Sequence, residues 1–237
     1  MVLRDAADPT NCEVVRLHRA NVTAVAAEKE GNFFASGDAD GTVKVWARNA
    51  QGEFIQQWSK DLQGEVTGLS FFNNGQRLAA STTSRTVRAF IWKDDDVMGD
   101  TPVVHQNDVN AVDVRQAKPL IMVSASSDHS LAFYPSPFKK LGGTAKEHKN
   151  IINNVRFSPS GERLVTVGSD KSIIVYSGTD IALQGYVGDE GKAHDKGILD
   201  VHWIDDGNFA TCGNDCAVKL WSAEERALLR TLKVDAH

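Results

Sequence analysis

The chain has 237 residues, of which 41% are hydrophobic and 24% charged, and its formal net charge is -5. Those values describe an ordinary globular protein with room for a substantial core, as one large or two small domains. They argue against a nucleic-acid surface, which needs a concentrated basic face. No apolar run is long enough to cross a bilayer and no signal-peptide pattern is present, so no membrane partner is expected. Cys12, Cys212 and Cys216 are too few for a disulfide framework, which points to a reducing, cytoplasmic setting.

In chain order, the apolar runs and turn residues predict short strands throughout. Met1–Arg4 and Glu13–Leu17 read as the last half of a preceding unit. Unit one has strands near Val22–Ala27, Phe33–Gly37, Thr42–Trp46 and Phe54–Trp58. Unit two has Glu65–Phe72, Arg77–Ser81, Val87–Trp92 and Thr101–Val104. Unit three has Val109–Val114, Leu120–Ala125, Ser130–Tyr134 and Phe138–Leu141. Unit four has Ile151–Phe157, Arg163–Val167, Ser172–Tyr176 and Ala182–Val187. Unit five has Ile198–Ile204, Asn208–Cys212, Ala217–Trp221 and Leu228–Val234. The strands of unit four are apolar on both faces, so its sheet is expected to be covered on both sides, by copies of itself. Asp94–Asp96 reads as a solvated loop. Cys212 and Cys216 sit in a turn and read as packing residues rather than half a metal site.

The units are repeats. An aromatic residue closes a strand at Trp46, Trp92, Tyr134, Tyr176 and Trp221, spaced by 46, 42, 42 and 45 residues. Six residues before four of these aromatics stands Asp40, Asp128, Asp170 or Asp215, and four residues before each Asp stands Ser36, Ser124, Thr166 or Thr211. A histidine, His18, His105, His148 or His194, lies 21 to 23 residues before the Asp. Hydroxyl, imidazole and carboxylate together suggest a nucleophilic triad, but catalysis needs one activated hydroxyl in a cleft, not one per repeat. The expected role is structural: a chain of hydrogen bonds from aromatic to hydroxyl to imidazole to carboxylate under each turn, each worth about 1 kcal/mol net. No catalytic residue, cofactor or metal is assigned. His129 and His202 fall outside the register. Unit two has Gly64 near the histidine position and Ser84-Arg85 where Asp is expected. Trp92 is therefore predicted to find another hydrogen-bond partner, and unit two to be the least rigid.

The run His18…Ser36…Asp40-Gly41-Thr42-Val43-Lys44-Val45-Trp46 and its copies resemble the WD-repeat family, whose fold is a β-propeller of four-stranded blades. The expected fold is all-β: five four-stranded blades plus an N-terminal half-blade, with residues 1–237 as a single propeller. Further motifs are similar to the N-terminal propeller of the actin-interacting protein 1 family, which has two propellers. They are Phe34-Ala35-Ser36-Gly37-Asp38, Val109–Val114, Pro135-Ser136-Pro137-Phe138-Lys139, Val155-Arg156-Phe157-Ser158-Pro159, Lys192–Ile198 and Val218–Trp221. That resemblance implies a non-catalytic protein of the actin cytoskeleton, with actin filaments and cofilin as partners and cofilin-dependent filament disassembly as its work. A WD-repeat scaffold for another complex is the alternative.

The family's first propeller usually has seven blades, against five and a half here. A larger seven-bladed or two-propeller protein, a strand-exchanged dimer and a five-bladed ring with the N-terminal strands on its edge all remain open. The resemblance places partner binding near blades three and four. Here those positions are Ser127, Asp128 and Phe138, then His148, Lys149, Asn150 and Ile151. Ser127 stands where an acidic residue is common, and Ile151 where an aromatic one is. Phe138 also reads as a packing residue. Lys139, Lys140, Lys146 and Lys149 form a modest basic cluster that reads equally as a face for acidic actin and as ordinary surface lysine.

Overall fold

The structure, a computed structural model, describes residues 18–98 and 101–233, together with the backbone of residues 2–4 and 12–14. Turn chemistry divides the chain into short antiparallel runs. Gly31, Gly75 and Gly161 adopt positive φ in the first hairpin of units one, two and four, a conformation that costs glycine little. The first two strands, β1 (Val2–Arg4) and β2 (Cys12–Val14), pair with each other as a separate antiparallel ribbon. The rest of the predicted half-blade, Met1 and residues 15–17, lies outside the described residues, as does Val234 at the far end.

Five four-stranded antiparallel sheets follow, each with its strands in sequence order. Blade one is β3 (Val22–Ala27), β4 (Phe33–Asp38), β5 (Thr42–Arg48) and β6 (Phe54–Asp61). Blade two is β7 (Val66–Phe72), β8 (Arg77–Thr82), β9 (Val87–Ile91) and β10 (Asp96–Val97). Blade three is β11 (Val109–Val114), β12 (Ile121–Ser126), β13 (Leu131–Pro135) and β14 (Gly143–Ala145). Blade four is β15 (Ile152–Phe157), β16 (Arg163–Gly168), β17 (Ile173–Ser177) and β18 (Leu183–Tyr186). Blade five is β19 (Ile198–Trp203), β20 (Asn208–Gly213), β21 (Ala217–Ser222) and β22 (Ala227–Lys233). The first strand of each blade lies against the first strand of the next, so β3, β7, β11, β15 and β19 form the inner wall.

Two outer strands differ from expectation. In blade two the fourth strand is β10, not Thr101–Val104. The Trp92–Asp95 turn, with Asp95 at φ 50°, folds the chain straight back so that Asp96 pairs with Ile91. Pro102 has no N–H to give a ladder, and Thr101 is instead held by Arg88, whose Nη1 donates to its carbonyl at 3.1 Å. In blade three the fourth strand is β14, not Phe138–Leu141. Phe138 closes a turn, its N–H donating to Pro135 O at 2.8 Å, and its ring packs edge-on against Phe72 of blade two.

The apolar residues form four clusters, one between each pair of successive blades. Between blades four and five, for example, Val165, Val167, Ile173 and Val175 meet Ile198, Val201, Trp203, Phe209 and Trp221. Burying each large apolar side chain stabilises by about 1.5–3 kcal/mol, so the stacking of blades carries the fold. The two end faces are uncovered among the described residues. Val25 on blade one is 58% exposed, and Leu232 on blade five is 41% exposed.

A second kind of tie joins the blades. Each inner strand carries a one-residue register shift near its start, which leaves Thr23, Thr67, Asn110, Asn153 and Leu199 as the extra residues. Four of these donate to the following inner strand: Thr23 Oγ1 to Val66 O at 2.7 Å, and Thr67 Oγ1 to Val109 O at 2.5 Å. Asn110 Nδ2 reaches Ile152 O at 2.8 Å, and Asn153 Nδ2 reaches Ile198 O at 2.6 Å. The fifth, Leu199, is apolar and 48% exposed.

Candidate functional site

The repeated polar groups converge at one end of each blade, where the second turn and the link between blades lie side by side. In blade three His105 Nε2 accepts from Ser124 Oγ at 2.7 Å, and its Nδ1 faces Asp128 Oδ2 at 3.1 Å. In blade four His148 Nε2 meets Thr166 Oγ1 at 2.8 Å and Nδ1 meets Asp170 Oδ2 at 2.9 Å. Blade five repeats this with His194, Thr211 and Asp215, and Trp221 Nε1–H donates to Thr211 Oγ1 at 2.9 Å. Each carboxylate also accepts backbone N–H groups of its turn: Gln106 and Ser130 for Asp128, Lys149 and Ser172 for Asp170, Asp195 and Ala217 for Asp215.

Blade one uses a different acid. His18 Nδ1 lies 2.6 Å from Asp38 Oδ2, while Nε2 meets Ser36 Oγ at 2.7 Å and Trp46 Nε1–H donates to the same hydroxyl at 3.0 Å. Asp40, the residue in register, is exposed. Asp38 ends β4 where the other tetrad blades carry Ser126, Gly168 and Gly213. A carboxylate is therefore already in place there, and its Oδ1 also accepts Asp40 N–H and Thr42 N–H at 3.1 and 2.8 Å.

Tyr176 extends its network. Its O–H donates to Glu147 Oε2 at 3.0 Å, and burial followed by the Glu147 charge pushes the phenol well above its ordinary range. Tyr134 is likewise raised by burial, with Ser124 opposing. Trp92, in the blade without a tetrad, donates to Gly75 O at 2.8 Å. Burial holds His18, His105 and His194 below the usual imidazole range, with the facing carboxylate opposing. Burial works against the Asp128 charge, but Ser130, the turn N–H groups and His105 outweigh it and hold the carboxyl at about 2. All four tetrad hydroxyls, Ser36, Ser124, Thr166 and Thr211, are buried. Buried in this way, the hydroxyls are spent on the network and not open to solvent. Among the described residues, no group of three or more His, Cys, Asp or Glu could hold a metal.

The expected partner-binding residues do not form one surface. In a sheet of consecutive antiparallel strands, the first and third turns lie at one end and the second turn and inter-blade link at the other. Ser127, Asp128, His148, Lys149, Asn150 and Ile151 share the tetrad end; Phe138, Lys139 and Lys140 lie at the opposite end, about 17 Å away across a five-residue strand. The basic cluster is thus split, with Lys146 and Lys149 on the tetrad side. Phe138 is 0% exposed and offers nothing to a partner. His148 is buried in its tetrad, and Ser127 exchanges hydrogen bonds with Asn110 at 3.0 and 3.2 Å. Lys149 and Asn150 are exposed, and Lys149 Nζ pairs with Glu190 Oε1 at 2.7 Å. The half-buried Ile151 completes this rim.

Sequence reasoning missed Asp38, Glu147 and the inter-blade donors. The donors left a readable trace, a Thr or Asn directly after the apolar residue that opens each inner strand, at 23, 67, 110 and 153. Asp38 left none, because its spacing competes with an equally plausible Asp two residues on.

Five stacked four-stranded sheets, four of them with a histidine–carboxylate network under a turn, form a β-propeller fold of five blades plus a separate N-terminal pair of strands, like that of the WD40 propellers it resembles. The WD40 family, described as WD domain, G-beta repeat, matches residues 11–47, 139–177 and 189–222. The chain is 26% identical over 244 residues to WD repeat-containing protein 1 of Gallus gallus, covering 100% of this chain and 39% of that protein. It is 26% identical over 231 residues to actin-interacting protein 1 of Drosophila melanogaster, covering 97% of this chain and 38% of the relative. The WD40 propeller domain of Doa1 superposes with a TM-score of 0.72 at 19% identity, over 92% of this chain and 71% of that one. This chain therefore spans about two fifths of the length of its curated relatives.

Proposed function

We propose that this chain is a non-catalytic, actin-interacting WD-repeat protein, or a part of one, that promotes cofilin-dependent disassembly of actin filaments. The observation that carries the reading is the alignment of 97% of the chain with a relative named actin-interacting protein 1. The sealed tetrads support a binding role over catalysis, since a rigid scaffold presenting loops suits recognition. We assign the docking rim to the tetrad end of blades three and four, with Lys149, Asn150 and Ile151 beside Ser127 and Asp128. Localisation to the actin cytoskeleton follows from the same reading.

Co-sedimentation with actin filaments, with and without cofilin, tests it. The expected result is cofilin-dependent pelleting and faster loss of filament mass, reduced by a Lys149→Glu, Asn150→Asp double variant that keeps the native melting curve. No binding and no added disassembly by the full-length protein would reject the actin reading and leave a scaffold for another complex.

A further inference from the structure

Blade two lacks a tetrad, yet its second turn has the geometry of the others. Thr82 N–H donates to Thr86 O and Thr83 N–H to Glu65 O, both at 3.0 Å, as Ser126 does to Ser130 O and Ser127 to Asp108 O in blade three. That pairing aligns Ser84 with Asp128, Gln63 with Gln106 and Thr86 with Ser130. The next residue has a positive φ in each of blades two to five: Arg85 at 62°, His129 at 67°, Lys171 at 66° and Cys216 at 57°. Ser84 therefore stands where blades three, four and five carry Asp128, Asp170 and Asp215.

What those carboxylates hold is left open in blade two. Asp128 accepts Gln106 N–H at 2.8 Å and Ser130 N–H at 2.9 Å, one from the link and one from the turn. The corresponding N–H groups of Gln63 and Thr86 have no partner among the described residues, and neither has Ser84 Oγ. Serine has one oxygen where aspartate has two, and it is one bond shorter, so it does not bridge the two donors. Its side chain is nonetheless directed at the link, since a side chain on Gly64 would collide with Ser84 Oγ. Ser84 is exposed, so its hydroxyl is open to modification, unlike the buried hydroxyls of the tetrads.

We propose that Ser84 is a phosphorylation site, and that its phosphate takes the place of the missing carboxylate by accepting Gln63 N–H and Thr86 N–H. Ser84 Oγ attacks the γ-phosphorus of a nucleoside triphosphate held by a protein kinase. The bond to the β-phosphate oxygen breaks, nucleoside diphosphate leaves, and the hydroxyl proton passes to the kinase's base. A phosphoserine carries three acceptor oxygens and a charge of about −1.5 to −2 near neutral pH, and turn N–H groups suit such an anion. Leu62 occupies the histidine position of this blade, so the phosphate replaces no imidazole pair. The exposed Arg85 beside it offsets the exposed Glu65 of the link. Modification thus fastens the one blade whose turn is unfastened.

The test compares the full chain carrying serine at 84 with the same chain carrying phosphoserine there, introduced by codon suppression, and with Ser84→Asp and Ser84→Ala. Phosphoserine should move the Gln63 and Thr86 amide proton resonances downfield and slow hydrogen exchange in β8 and β9 at least about tenfold. Ser84→Asp should reproduce part of that slowing and Ser84→Ala none. Unmoved amides, or exchange in β8 and β9 that phosphoserine leaves unchanged, overturn the proposal. Purified from its own cells with phosphatases inhibited, the protein should yield a phosphorylated peptide containing Ser84, and a peptide found only unmodified overturns the site. No actin is present in these measurements, so they and the actin reading stand or fall separately.

Discussion

At the scale of the residue, the fold turns on which carboxylate faces each imidazole. Asp38 accepts from His18 and from two backbone N–H groups, all at a buried position, whereas Asp40 points to solvent. Removing a buried acceptor strands its donors at about 1–3 kcal/mol, while an exposed substitution stays within about 0.5 kcal/mol. Asp38→Ala should therefore lower the unfolding free energy by that larger amount and Asp40→Ala hardly at all, read from urea melts. The reverse order would return the tetrad to Asp40. The spacing rule predicted three tetrads by residue and missed the fourth acid by two positions, because a hydrogen bond selects geometry rather than register.

At the scale of the element, blade two stands apart. It has no histidine–carboxylate pair, Thr82 Oγ1 and Thr101 Oγ1 are buried without partners among the described residues, and β10 has only two residues. Blade four has a complete tetrad and a four-residue outer strand. Native-state hydrogen exchange should find the amides of β8 and β9 opening at lower free energy than those of β16 and β17. Equal protection would show that stacking alone sets blade rigidity. The inner and middle strands of blades two to four were legible in the sequence because their faces are mostly buried, which leaves apolar runs such as Leu164-Val165 and Ile173–Val175. Two outer strands, β10 and β14, were not, since they are only two and three residues long and partly or fully exposed, and turn geometry rather than burial places them. The residues expected to bind a partner were grouped by resemblance, and strand direction separates Phe138 and Lys139 from the rest.

At the scale of the whole molecule, the buried imidazoles and carboxylates act together on pH. The unfolded chain takes up protons on its histidines near pH 6.5, whereas His18, His105 and His194 resist protonation when folded. The unfolded state then binds more protons, so stability falls as pH drops below about 6.5. Asp128, Asp170 and Asp215 have lowered values in the fold, so their contribution is present above about pH 4 and is lost as pH falls through those values. Both groups have the same sign. Urea melts should show a lower unfolding free energy at about pH 5.5 than at about pH 7.5, by at most about 1.4 kcal/mol per histidine per pH unit. Equal stability at the two values would mean that the imidazoles take up protons alike in the folded and unfolded chain, and greater stability at the lower pH that they are charged in the fold.

The inter-blade donors also give the propeller a polarity. Each of these four bulge-residue bonds runs from a blade to its successor, while other bonds, such as Phe157 N–H to Asp113 and Trp203 Nε1–H to Arg156 O, run the other way. Asn153 Nδ2 holds Ser169 Oγ at 3.1 Å within blade four as well as Ile198 O across the joint, whereas Leu199, at the same place in blade five, has no polar side-chain group to give. Among the described residues, the joint between blades four and five is thus the last that this series of donors fastens.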